Sequence, residues 1–60
     1  MNVKIVEGFG AESFERHMDY AIEKLTKKNK EIIDIKFGGA VKKATRYGVN
    51  HEYSAMIIYK

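Results

Sequence analysis

The chain predicts an α+β domain of order β-α-β-β, a three-stranded antiparallel sheet in spatial order 1-3-2 with one helix packed on one face. Three features carry this expectation. A short alternating segment at the N-terminus is followed by a glycine pair and a helical apolar stripe. Two further apolar segments come after the stripe, the first ending at Gly38-Gly39. The last segment, Tyr53–Tyr59, is apolar on both of its faces, which suits a central strand.

The first strand covers residues 2–7. Val3 and Ile5 fall on one side, Lys4 and Val6 on the other. Gly8-Phe9-Gly10 ends it, because glycine reaches backbone angles closed to other residues.

The helix is read over residues 11–29. Phe14, Met18, Ala21, Ile22 and Leu25 recur at three- and four-residue spacing and form one apolar stripe. Glu12 and Glu15 lie near its start, and Lys24, Lys27 and Lys28 near its end, which suits the helix dipole. Glu23 and Lys27 stand four apart and form a favourable pair. Gly10 and Ser13 are both candidate caps, and Asn29 or Lys30 ends the helix.

The second strand covers residues 31–37, with Ile33, Ile35 and Phe37 inward and Ile32, Asp34 and Lys36 outward. Residues 40–50 read as a long loop or the tips of a hairpin. The third strand covers residues 51–59, with Tyr53, Ala55, Ile57 and Tyr59 on one face and Met56 and Ile58 on the other. A short link makes strands two and three antiparallel neighbours. Placing strand three between the other two puts the most apolar strand where burial is greatest. The alternative order, 1-2-3, would require a parallel pair.

Size and composition narrow the function. Sixty residues form a single domain, 1–60, and buried surface is scarce in a chain this short. Small domains compensate with disulfides, metals or oligomerisation. There is no Cys, and only His17 and His51 offer nitrogen ligands without a spacing motif, so oligomerisation is the expected supplement. A homo-oligomer, foremost a dimer, is expected through the open sheet face or an exposed strand edge. Val6, Ile32, Met56 and Ile58 are the expected apolar part of that interface, with Lys4, Asp34 and Lys36 at its rim. No apolar run spans a membrane, and Met1-Asn2-Val3-Lys4 lacks the pattern of a signal peptide, so a cytoplasmic, membrane-free protein is expected.

No catalytic residue is assigned. Ser13 and Ser54 have no evident base, and Asp19, Asp34 and Glu52 are scattered. A non-enzymatic protein without a cofactor or metal is the expectation. Gly8-Phe9-Gly10 stands where a phosphate-binding turn would begin a helix, but Ser13 occupies the third glycine position and Glu7 and Glu12 would repel phosphate. The net charge of +3 is ordinary for solubility. It gains meaning only at Lys42, Lys43, Arg46 and Tyr47, a basic and aromatic cluster without acidic neighbours in sequence. Such residues hold phosphate and stack a base, so these four form the candidate site for an anionic, nucleotide-like ligand. A solvated hairpin tip, which keeps a loop soluble, is the favoured account of the same four residues. Tyr20 lies off the apolar stripe and is the candidate exposed aromatic contact, whereas Tyr53 and Tyr59 are expected to cap the ends of the core.

Two resemblances follow from these segments. In element order and length, the Ala11–Leu25 helix followed by two strands resembles the dodecins, hollow flavin-binding dodecamers. The flavin-stacking tryptophan of that family has no counterpart in a chain without Trp, so only the architecture is implied. Glu31–Phe37 with Glu52–Tyr59 resembles a family of short sporulation-associated proteins of Gram-positive bacteria and their phage-encoded relatives. These are mostly core-forming residues. The resemblance implies the fold and a small interaction or regulatory module with no catalytic residues to carry over. Three functions are therefore weighed. The first is an oligomeric interaction module, with itself and with a protein partner. The second is an oligomeric binder of an anionic small molecule such as a nucleotide at the 42–47 segment, of the kind that sequesters its ligand. Nucleic-acid binding through that segment is the third and least favoured.

Overall fold

The computed structural model describes all residues from Met1 to Lys60, apart from the side chain of Thr45. Strand β1 (Asn2–Phe9) leads into helix α1 (Ala11–Lys27), followed by β2 (Ile32–Thr45) and β3 (Gly48–Tyr59). The sheet has the order β1-β3-β2, and both pairings are antiparallel. No helix among the described residues is long and apolar enough to cross a membrane.

The helix begins at Gly10, whose φ of 87° is open to glycine, and no side chain caps it. Gly10 also extends the sheet, because its N–H donates to the His51 carbonyl at 2.8 Å. The far end closes on Asn29, in the left-handed region at φ 59°. Asn29 N–H donates to Thr26 O and Lys30 N–H to Leu25 O, both at 3.0 Å. That pair of bonds is a Schellman closure, with Asn in place of the usual glycine.

Residues opposite one another across a sheet share a face, so the register sorts every side chain. Val6 pairs with Ala55, Lys4 with Ile57 and Gly8 with Tyr53, all under the helix. The buried core is Val6, Ala21, Leu25, Ala55 and Ile57, with Ile57 wholly enclosed. Phe14, Met18, Ile22, Ile32 and Tyr59 pack around it. At the other end Tyr53 stacks on Phe14, ring centroids 5.7 Å apart, and Phe37 joins them.

Two expected orientations are corrected here. Val6 faces the helix, and its neighbours Val3 and Ile5 face away. Alternation defines two faces but not which one the helix covers, and here the helix covers the face of Val6. Ile32 also packs against the core, opposite Tyr59, because the ladder slips between Ile32 and Asp34. Ile33 is the extra residue, so Ile32 and Ile35 both reach the helix side although three positions separate them.

The second and third strands are longer than expected. Gly38-Gly39 does not end β2. The register shifts there, with Gly39 at φ 99°, and the strand continues to Thr45. A turn at Arg46-Tyr47 follows, and Gly48 at φ 122° begins β3. Since β1 stops opposite Glu52, residues 42–51 form a two-stranded arm that β1 does not flank. The chain is elongated in consequence, 40 × 17 × 11 Å, with a radius of gyration of 12.9 Å against about 10 Å for a compact chain of this length.

Candidate functional site

Three surfaces have chemistry to offer, and each follows from the register. The first is the arm. Lys42 stands opposite His51, and Lys43 opposite Asn50. Successive strand residues point to opposite faces, so these two lysines do not converge. Lys43 Nζ lies 3.3 Å from Glu52 Oε2, an acidic neighbour nine residues away in sequence but diagonal to it across the ladder. The expectation of a cluster free of acidic neighbours is corrected for that reason. Arg46 and Tyr47 sit at the turn, with Tyr47 92% exposed. The four residues therefore line a ribbon and its tip rather than one concavity.

The second surface is the sheet face away from the helix. Its cross-strand rows are Val3–Ile58–Asp34 and then Ile5–Met56–Lys36. Val3, Ile5, Met56 and Ile58 form one apolar block across β1 and β3, and Asp34 and Lys36 flank it on β2. Met56 and Ile58 thus occupy the face expected of them, as do Asp34 and Lys36. Val6, Ile32 and Lys4 stand on the opposite face, so Val3 and Ile5 take the places that Val6 and Ile32 were expected to fill. The sequence did hold the signal: Val3 and Ile5 alternate as clearly as Lys4 and Val6.

The third surface is a groove of about 350 Å³ between α1 and the free edge of β1. Lys4, Val6, His17, Tyr20, Ala21, Lys24, Leu25, Lys28 and Tyr59 contribute to it. On the helix, His17, Tyr20, Lys24 and Lys28 follow one another at three- and four-residue spacing, on the side that overhangs the strand edge. Lys24 Nζ lies 5.7 Å from the centre of the Tyr20 ring, a cation–π contact. His17 Nδ1 is 2.6 Å from the Glu7 carbonyl oxygen. A carbonyl only accepts, so Nδ1 carries the proton and the helix is tied to the strand edge. None of Lys4, Lys24 and Lys28 makes an ion pair among the described residues.

His51 is exposed, its ring 6.2 Å from that of Tyr53. Among the described residues no three of His, Cys, Asp and Glu converge on a point where they could hold a metal ion. Comparison with protein-family models, with curated proteins and with solved structures found no match.

Proposed function

We propose that this protein is a small non-enzymatic interaction module that works as a homo-oligomer, a dimer in the simplest case, joined through the uncovered sheet face. One observation carries the reading: Val3, Ile5, Met56 and Ile58 form a single apolar block on the face that α1 does not cover. A second copy is the occupant that suits it. A two-fold axis lying in the plane between the two faces, perpendicular to the strands, would bring Asp34 of each copy toward Lys36 of the other, the self-complementary charge that suits an isologous contact.

The size of the exposed surface supports the same reading. The chain exposes 4644 Å². A compact monomer of its mass, 6.9 kDa, would expose about 4,000 Å². The arm and its base add to it, where Val41 and Val49 are exposed. An isolated two-stranded ribbon is marginal in water, so a neighbouring copy would also steady the arm. The link to a sporulation-type or phage-encoded programme, and any protein partner outside the oligomer, rests on the sequence resemblance alone.

Native mass spectrometry and sedimentation of the wild type beside the double variant Met56→Lys, Ile58→Lys test the reading. The expected result is an oligomer that dissociates to folded or partly folded monomers in the variant. A wild-type monomer, or a variant that keeps the wild-type mass and stability, removes the sheet face as the interface.

A further inference from the structure

We infer that the groove between α1 and the edge of β1 is a binding site for a phosphorylated ligand bearing a flat heteroaromatic ring, of the size of a nucleoside monophosphate. The site lies on the helix side of the sheet, so it stays open when the opposite face is occupied, and the inference does not rest on the oligomer.

Charge is the first reason. Lys4 on the strand and Lys24 and Lys28 on the helix approach one groove from two elements, and none has a carboxylate partner among the described residues. Glu7 is the one acidic residue in the lining. Three ammonium groups against one carboxylate favour a compact anion, and lysines bind phosphate as point charges. Lys27 and Lys43, by contrast, are each paired with a glutamate.

Shape and hydrogen bonding supply the rest. The groove has a floor of Val6, Ala21 and Leu25, all buried, and its volume of about 350 Å³ falls within the range of small-molecule sites, about 300–1,000 Å³. Tyr20, 66% exposed, offers a ring at the side of that floor, next to the Lys24 cation. The free strand edge contributes an orienting element. Gly10 N–H bonds to β3, so by alternation the backbone groups of Ile5 and Glu7 point away from the sheet. His17 satisfies the Glu7 carbonyl. The Ile5 N–H and C=O remain on the groove side of the edge, a donor and an acceptor close together. A nucleobase edge presents the complementary pair. Phosphate alone would leave the floor, the ring and this pair unused.

Backbone-amide NMR titration of the wild type with adenosine monophosphate, and separately with inorganic phosphate, decides the matter. Adenosine monophosphate is expected to give saturable shifts centred on Lys4, Ile5, Tyr20, Lys24 and Lys28. The variant Lys4→Gln, Lys24→Gln is expected to weaken it by about tenfold or more, because two charged contacts are lost. The variant Lys42→Gln, Lys43→Gln on the arm is expected to bind as the wild type does. Both variants alter exposed lysines, and far-ultraviolet circular dichroism establishes that they are folded. Shifts confined to the arm, no saturable shift, or unaltered binding by the groove variant would overturn the site. Equal affinity for inorganic phosphate would overturn the assignment of a ring-bearing ligand.

Discussion

Gly8 lies directly beneath Phe14, where α1 crosses β1. A Cβ at Gly8 would stand 2.5 Å from Phe14 N and 2.8 Å from Phe14 Cβ. The helix rests on the strand at this point because glycine has no side chain, and the Phe14–Tyr53 stack depends on that approach. Gly8→Ala is expected to cost about 1–3 kcal/mol, since the first obstacle is backbone and cannot rotate aside. For a domain this small that is a fall in Tm of roughly 4–8 °C per kcal/mol, read by thermal unfolding. An unchanged midpoint would mean that the helix does not rest there.

Among the described residues Ile57 is the one large side chain that is fully enclosed, near the C-terminal end of the middle strand. Ile57→Ala removes three methyl-sized groups and leaves a cavity beneath Leu25 and Val6. The expected loss is about 2–5 kcal/mol, a large share of what so small a chain has to spare. Urea unfolding measures it, and a shift below 1 kcal/mol would argue that the core collapses to fill the space.

Asn29 closes the helix in the left-handed region. Asn29→Ala is expected to destabilise by about 1 kcal/mol, because a Cβ without a polar side chain is disfavoured at that φ. Asn29→Gly should restore or exceed wild-type stability. If the two variants melt alike, the closure contributes nothing.

The Lys43–Glu52 pair spans β2 and β3 at the base of the arm, with side chains 51% and 31% exposed. Water screens a pair this exposed, so Lys43→Gln is expected to change stability by less than about 1 kcal/mol. It should matter even less at high salt. A larger, salt-insensitive loss would show that the pair organises the arm.

These predictions draw unequally on what was legible in the chain. The core stripe Phe14, Met18, Ala21, Ile22 and Leu25 is a helical repeat, and the structure uses all of it. The aromatic ends, Tyr53 and Tyr59, were equally plain. The groove was not, although Tyr20 was singled out as exposed. Lys4 and Lys24 are twenty residues apart, and only the crossing of α1 over β1 brings them to one cavity. For the arm, residues 40–50 admit a long loop or the tips of a hairpin, and the structure pairs them as a hairpin. Its pairing is held by backbone bonds, which leave little trace in side-chain pattern.

The sequence by itself determined the elements, their order and the 1-3-2 sheet, because hydrophobic period and glycine placement act locally and the most apolar strand seeks the centre. The tertiary structure decided which face of each strand is inside. A period of two offers two equivalent phases, and the helix, by settling over Val6 and Gly8, chose between them. The slips at Ile33 and Gly38 then set the phase along β2, because one extra residue in a strand turns every later side chain to the other face.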